Sequence, residues 1–266
     1  MSSLTTDKGI VHYEVYGRGK PVILLHGWLG SWGLWQETMS FLGHEYRTYA
    51  LDFWGFGESG KKESTYQVSD FVNMVDDFME QLGIIQAPLV GHSMGGTVSL
   101  SVAIRYPQRV SKVAVIGSPI NGTSLAPLLK MAGYRPIGVL VHNMMGALKL
   151  GIKMATPLIT SDPEWYSMIA QDLDRTTVES FLISISSLHK TDLTNKLNTI
   201  QMPVMGIYGD KDIIVAPDQW KPLKKGVGHA RIERFSKAGH FPMLDQPRQF
   251  QKTLRDFLEN TSTHLV

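Results

Sequence analysis

A serine lies between two glycines in the stretch LVGHSMGGTVSL, residues 89–100. An apolar run precedes this serine and small residues follow it, a pattern that predicts a strand turning directly into a helix near Met94. Gly91 and Gly95 stand where side chains would crowd such a turn, which would push Ser93 outward at the carboxyl edge of a sheet. The helix would then aim its N–H groups and its positive dipole end at negative charge beside Ser93. The pattern predicts a nucleophile; the alternative is an ordinary loop serine in a glycine-rich chain.

A serine nucleophile needs a general base, and His240 is the candidate among the nine histidines. A hydroxyl is nearly inert at neutral pH unless a base accepts its proton. In FSKAGHFPMLDQP, His240 follows the last predicted strand and precedes the last helix, at the same sheet edge as Ser93. We expect His26 to pack and hydrogen-bond beneath the site. We expect His92, directly before Ser93, to point to the opposite side of the turn.

The base needs an orienting carboxylate, and the stretch IYGDKDIIVAP offers Asp210 and Asp212 after the penultimate predicted strand. With either residue the order along the chain is serine, aspartate, histidine, which is the order that this strand and helix architecture uses. We favour Asp212, because Asp210 directly follows Gly209 and suits a role in capping the backbone of the turn. The stretch VIGSP, which ends an earlier strand, contains no carboxylate.

Seven apolar or β-branched runs predict the strands that must position these side chains: 9–16, 21–27, 46–52, 87–93, 110–119, 201–210 and 230–240. Several of the runs are continuously hydrophobic, as strands of a parallel sheet covered on both faces must be. Apolar residues recur at three- and four-residue spacing between Phe71 and Leu82 and between Phe250 and Leu258, which predicts amphipathic helices. This alternation is typical of a doubly wound α/β fold.

The alternation of strands and helices stops between Asn121 and Asn195. The segment mixes Gly, Pro, Met and Leu, and no convincing strand interrupts it. A loop of this length without structure of its own would be unusual. We therefore expect residues 121–195 to form a helical cap or lid over one end of the sheet, and residues 1–120 and 196–266 to form the core.

Composition restricts the function classes that fit this chain. Its 266 residues are 43% hydrophobic and 19% charged, which is enough apolar material for a sizeable core. A formal net charge of +2 and the absence of a long basic run argue against a nucleic-acid partner. Without cysteine there is no thiolate, disulfide or cysteine-based metal site, and we invoke neither a metal nor a cofactor. The polar N-terminus and the lack of a long apolar run predict a cytoplasmic protein.

The stretches LLHGWLGSWGLW and LDFWGFGES, together with Ser93, Asp212 and His240, resemble the α/β-hydrolase superfamily over nearly the whole chain. The resemblance implies a mostly parallel twisted sheet, helices on both faces, a helical cap and a catalytic triad of those three residues. It also implies an oxyanion hole made by the backbone N–H groups of Trp28 and Met94, with their side chains incidental. In one place the chain departs from the family pattern, because Trp54 stands where arginine is common.

The resemblance implies a serine hydrolase that cleaves a carboxylic ester through an acyl-enzyme. Family branches with an aspartate nucleophile are excluded, since the position holds Ser93. The same triad also serves perhydrolase or haloperoxidase-like, thioesterase and carbon–carbon bond hydrolase chemistry, and these alternatives stay open. A hydrolase-fold ligand-binding protein with little turnover is a further alternative, although its usual sign is loss of a triad residue.

The composition of the cap segment indicates a class of substrate. Residues 121–161 contain four basic side chains and no acidic one, interleaved with Leu, Ile, Val and Met: Lys130, Arg135, Lys149 and Lys153. Such a segment suits a lipophilic ester, with a long acyl chain or an isoprenoid alcohol as in the esters that the similar dephytylases cleave, and peripheral contact with a membrane. The alternative is a lid that only packs on the sheet.

Overall fold

A single sheet of eight strands organises the protein. The computed structural model describes residues 2–61, 65–136, 139–140 and 144–260. The strands are β1 (Ser2–Thr6), β2 (Gly9–Tyr16), β3 (Lys20–Leu25), β4 (Tyr46–Leu51), β5 (Ala87–His92), β6 (Val110–Ile116), β7 (Val204–Gly209) and β8 (Arg231–Phe235). Their order across the sheet is β1-β2-β4-β3-β5-β6-β7-β8.

The sheet is parallel from β4 to β8 and antiparallel at one edge, where β2 pairs with β4 and β1 pairs with β2. The continuously apolar strands β3, β5, β6 and β7 lie in its interior and are almost entirely buried. β1 was not expected, because its sequence SSLTT is polar and edge strands need little apolar surface. The predicted α/β-hydrolase fold, a mostly parallel sheet with helices, is confirmed.

Helices connect the strands and cover the sheet. They are α1 (Gln36–Leu42), α2 (Val68–Gln81), α3 (Met94–Arg105), α4 (Pro127–Ala132), α5 (Met145–Ile159), α6 (Trp165–Arg175), α7 (Val178–Lys190), α8 (Trp220–Gly226), α9 (Pro242–Asp245) and α10 (Pro247–Glu259). α2 packs against α3, and α1 packs against α10. The predicted apolar faces are buried in both amphipathic helices, at Phe71, Phe78, Phe250 and Leu254 among others.

Helices α4–α7 follow one another between β6 and β7, within the segment that the sequence assigns to a cap. α4 packs against α7, and α5 packs against α6. The segment enters and leaves at one point, where Asn121 and Asp192 form an isolated antiparallel bridge and the Asn121 side-chain amide donates to Asp192 over 2.8 Å. None of the described helices is long and apolar enough to cross a membrane.

Candidate active site

Ser93 lies on the sharp turn between β5 and α3. Its backbone has φ 51° and ψ −117°, a conformation that is rare and strained for a residue with a side chain. Hydrogen bonds hold the turn on both sides: the Ser93 N–H donates to the Ile116 carbonyl over 2.8 Å, and the Ser93 carbonyl accepts from the N–H of Gly96 over 3.0 Å. The strain is therefore supported by β6 on one side and by the first turn of α3 on the other.

Three glycines make this turn sterically possible. A Cβ on Gly91 would collide with the Gly95 backbone, and a Cβ on Gly95 would collide with the Leu25 carbonyl of the neighbouring strand. A Cβ on Gly96 would overlap the Ser118 side chain. The flanking glycines thus let β3, β5 and α3 approach one another closely while Ser93 occupies the turn.

His240 and Asp212 form a buried pair in the loops that follow β8 and β7. The His240 Nδ1–H donates to Asp212 Oδ2 over 2.7 Å. Asp212 Oδ1 in turn accepts the N–H groups of Ile214 at 2.8 Å and Val215 at 2.9 Å, which fixes the carboxylate. Because Asp212 Oδ2 accepts in this hydrogen bond, Nδ1 carries a proton and Nε2 is the ring nitrogen left for other contacts.

The end of β6 brings Ser93 and the His240–Asp212 pair to the same place. Ile116 accepts the Ser93 N–H, and the next residue, Gly117, is so close to the pair that a Cβ there would lie 3.3 Å from His240 Nδ1. Asp210 takes no part in this arrangement. Its carboxylate is half-buried and forms an ion pair with Arg234 at 2.9 Å.

Residues 26–28 approach Ser93 from the loop after β3. The buried His26 donates from Nδ1 to the Gly27 carbonyl over 2.7 Å and accepts the Phe53 N–H at Nε2 over 2.9 Å. Burial lowers the pKa of His26, in keeping with this neutral tautomer. A trans peptide directs its N–H opposite to its C=O, so the bond to Gly27 turns the Trp28 N–H away from His26. A Cβ on Gly27 would lie 3.1 Å from the Ser93 Cβ, which places this peptide beside the serine.

Met94 is the first residue of α3, so its N–H has no acceptor within the helix. Trp28 and Met94 therefore present backbone N–H groups from two different elements next to Ser93. The Trp28 side chain, expected to be incidental, links its loop to the cap. Its Nε1–H donates to the Phe181 carbonyl of α7 over 3.2 Å, and the two rings lie 4.8 Å apart between centroids.

The cap contacts this loop a second time through Asp172 of α6, which is buried beside Ser31. Burial raises the pKa of Asp172 to about 7, although a hydrogen bond from Ser31 acts in the opposite direction. Asp172 Oδ2 is buried and has no hydrogen-bond partner among the described residues. This carboxyl group is thus a polar contact between α6 and the loop that is costly to ionise.

His92 is a supporting residue that sequence reasoning missed. Its Nε2–H donates to the His240 carbonyl over 2.9 Å, and its ring lies edge-on to that of His240 with centroids 4.7 Å apart. Burial, followed by the neighbouring His240, holds the pKa of His92 well below its usual value. The expectation that His92 points away from Ser93 left out this contact, which joins positions 148 residues apart.

The turn DFWGFGES, residues 52–59, contacts and stabilises the loop after β3. Its Asp52 is fully buried and accepts from the Trp32 N–H at 2.6 Å, the Glu58 N–H at 3.0 Å and His12 Nδ1 at 2.8 Å. The hydrogen bond from His12 to Asp52 raises the pKa of that histidine. Trp54, at the position where arginine is common in the family, is fully buried. Asp52 is therefore satisfied by backbone groups and by His12, without an arginine at position 54.

Aromatic side chains surround the loop that carries His240. The Phe241 ring lies 5.1 Å from the His240 ring and 5.2 Å from the Trp165 ring of α6. The His240 N–H donates to the carbonyl of Ile159, the last residue of α5, over 3.3 Å. The cap is thus in direct contact with the loop that carries His240, through aromatic packing and a backbone hydrogen bond.

Comparisons with known proteins agree with this geometry. The family model for the alpha/beta hydrolase fold matches residues 20–247. The pimeloyl-[acyl-carrier protein] methyl ester esterase of Vibrio parahaemolyticus is 24% identical over 259 residues, covering 94% of this chain and 98% of that protein. The 2-hydroxy-6-oxononadienedioate/2-hydroxy-6-oxononatrienedioate hydrolase of Paraburkholderia phymatum is 28% identical over 263 residues, covering 93% and 90%.

Among solved structures, the enol-lactonase of Burkholderia xenovorans LB400 superposes with a TM-score of 0.85 at 21% identity, covering 97% of this chain and all of that one. The likeness in fold thus extends over the core and the segment between β6 and β7 together. With the match of the family model, it establishes that the chain belongs to the alpha/beta hydrolase family.

Proposed function

We propose that the protein is a serine carboxylic ester hydrolase that acts on a lipophilic ester through an acyl-enzyme. The observation that carries the proposal is the geometry around β6. A strained serine and a buried histidine–aspartate pair meet at its end, with the Gly27–Trp28 peptide and the first N–H of α3 beside the serine. Each part has a role in acyl transfer.

In the proposed mechanism, Ser93 Oγ attacks the ester carbonyl while His240 Nε2 accepts the hydroxyl proton. The N–H groups of Trp28 and Met94 stabilise the negative charge that develops on the carbonyl oxygen. His240 gives the proton to the departing alcohol, which leaves Ser93 acylated. A water molecule then attacks the acyl-enzyme, with His240 again accepting the proton, and the acid is released with Ser93 restored. Asp212 orients the ring and stabilises the imidazolium that forms in each half-reaction.

The lipophilic substrate is supported by the groups around the site. Phe241, Trp165 and Phe181 are buried between the loops that carry the proposed catalytic residues and the cap, with Trp28 half-buried beside Phe181. Apolar walls of this kind favour an acyl or isoprenoid chain over a polar substituent beside the site. The matched esterase of Vibrio parahaemolyticus acts on a methyl ester, which supports ester chemistry but does not define the chain length.

Covalent labelling tests the nucleophile. A fluorophosphonate should label the wild-type protein stoichiometrically and leave Ser93→Ala unmodified, with esterase turnover lower by roughly 10³-fold or more. Ser101→Ala, which removes another hydroxyl of α3, is the matched control and should label normally. Equal labelling of Ser93→Ala would contradict the assignment. Labelling of the wild type without turnover on any ester would instead favour a binding protein.

A chain-length series of nitrophenyl esters, extended to a panel of lipid and pigment esters, tests the substrate. We expect kcat/KM to rise from acetate towards long acyl chains as more apolar surface is buried. A preference for acetate would contradict the lipophilic substrate and leave the serine ester hydrolase in place.

A second candidate function is hydrolysis of a carbon–carbon bond, favoured by the similarity to the dienedioate hydrolase of Paraburkholderia phymatum. Incubation with 2-hydroxy-6-oxononadienedioate, followed by chromatography of the products, tests it. Turnover that exceeds the turnover of every ester would replace the ester hydrolase as the preferred function.

A further inference from the structure

The outer surface of the cap is unusually apolar. Twelve large apolar side chains are exposed in the described part of the chain, and eight of them fall between residues 128 and 158: Leu128, Met131, Tyr134, Leu140, Met144, Leu150, Met154 and Leu158. Isolated exposed apolar side chains are ordinary, whereas concentration in one segment marks an interaction surface.

Helix α5 is apolar on both of its faces. Met145, Leu148, Ile152 and Ala155 pack against the hydrophobic core. On the opposite face Leu150, Met154 and Leu158 recur every four residues and are 60%, 75% and 68% exposed. A helix that is apolar all round is normally surrounded by other apolar groups, and here the outer face has none among the described residues. Leu150 and Met154 therefore point away from the other described residues.

The same segment carries basic side chains without acidic ones. Arg135 and Lys153 are exposed, and residues 121–161 contain no aspartate or glutamate. Lys149 pairs with Asp174 of α6 at 2.5 Å, so its charge is balanced within the cap. Lys153 lies over the Tyr166 ring, 5.6 Å from its centroid, a contact that leaves its positive charge unneutralised. The surface thus combines an apolar centre with an excess of positive charge.

We propose that the exposed apolar face of α5, together with the exposed side chains of α4, docks on an anionic lipid surface. An amphipathic surface with cations beside exposed Leu and Met is suited to the boundary between headgroups and acyl chains. Because α5 has 15 residues, it would lie in that boundary and not cross it. A second copy of the chain is a poorer occupant, since a two-fold contact would bring Arg135 and Lys153 against like charges. The proposal does not depend on the reaction catalysed.

Co-sedimentation with vesicles tests the proposal. The wild-type protein should sediment with vesicles of equal parts phosphatidylglycerol and phosphatidylcholine at low salt, and less at high salt or with pure phosphatidylcholine. The double variant Leu150→Gln/Met154→Gln should bind the anionic vesicles more weakly by about tenfold or more. Glutamine is a good helix former, so α5 should be retained, which circular dichroism would check.

Two further variants make the result specific. Ile10→Gln/Ile85→Gln removes two exposed apolar side chains far from the cap and should bind like the wild type. Arg135→Gln/Lys153→Gln should weaken binding to anionic vesicles and reduce its salt dependence. Equal binding by the wild type and by Leu150→Gln/Met154→Gln would overturn the proposal. So would a wild-type dimer in sedimentation velocity that this double variant converts to monomer, because that result would identify a second copy as the occupant.

Discussion

Two aspartates in the loop after β7, separated by one residue, meet different partners. Asp212 is buried against His240 and two backbone N–H groups, whereas Asp210 pairs with Arg234 at the surface. We therefore expect Asp212→Asn to lower kcat/KM for an ester by roughly 10³-fold or more, because an amide favours the wrong imidazole tautomer. Asp210→Asn should cost less than about threefold, as expected for the loss of a surface ion pair. Initial rates on a nitrophenyl ester measure both.

If Asp210→Asn lost more activity than Asp212→Asn, the carboxylate that orients His240 would be misassigned. Thermal unfolding of both variants separates loss of activity from loss of folding.

The positions of candidate site residues could be predicted where their neighbours in the chain reveal their surroundings. Ser93 is marked by glycines on both sides, and His240 and Asp212 by the predicted strands that precede them. His92 and His12 carry no such mark, because their partners His240 and Asp52 are distant in sequence. The burial of Trp54 could not be predicted either, because the family pattern has a charged residue at that position.

At the scale of elements, Trp28 ties the loop after β3 to helix α7. Trp28→Phe keeps an aromatic ring against Phe181 but removes the Nε1–H that donates to its carbonyl. Because a hydrogen bond of this kind contributes about 1 kcal/mol, we expect kcat to fall roughly fivefold with little change in KM, through poorer placement of the Trp28 N–H. Steady-state kinetics measure the two constants separately. Trp220→Phe, on α8, is the control, and an equal loss in it would remove the special role of Trp28.

The contact between α6 and the same loop should make stability depend on pH. Since burial raises the pKa of Asp172 to about 7, the folded state keeps this carboxyl group protonated at pH values where the unfolded chain has already ionised it. Its contribution to stability is therefore lost as pH rises from about 4 to 7. Asp172→Asn should raise the melting temperature at pH 8 by several degrees and change it little at pH 4.5.

Asp174→Asn, on the same helix, is the control for that prediction. Asp174 is exposed, so its replacement should shift the melting temperature little and by a similar amount at both pH values. A gain for Asp172→Asn that is the same at pH 4.5 and pH 8 would contradict the assignment of a raised pKa.

The sequence predicted elements best where packing leaves a clear pattern. The interior strands were found because burial on both faces requires continuous apolar runs, and β1 was missed because an edge strand does not. The cap was predicted only as a helical segment. Helix α5 is apolar on both faces, so it shows no periodicity from which its boundaries or its exposed side could be deduced.

For the whole molecule, buried histidines make the free energy of unfolding depend on pH. Burial lowers the pKa values of His26 and His92, so the unfolded chain takes up protons at these sites before the folded protein does. Their contribution to stability is complete above about pH 6.5 and is lost as pH falls below it. His12 behaves oppositely, because Asp52 raises its pKa and its contribution is lost as pH rises through that raised value.

The variant His92→Asn isolates one of these contributions. At pH 8 it should be less stable than the wild type, because the packing against His240 and Phe241 is changed. The difference should shrink as pH falls from 6.5 towards 5, since only the wild type then loses the contribution of His92. Urea unfolding at several pH values measures it. His229→Asn, at an exposed histidine, should show no such convergence, and a constant gap for His92→Asn would contradict the prediction.

The bridge between Asn121 and Asp192 brings the two ends of the segment between β6 and β7 together. A segment whose two ends meet can change its length and sequence without altering the register of β6 against β7. We therefore expect an exchange of this segment at the junction to leave the sheet and the Ser93 turn in place, while its contacts with the loop after β3 are replaced. Grafting the corresponding segment of another family member between these two residues would test whether substrate selectivity moves with it, which makes this junction the natural place to re-engineer the protein.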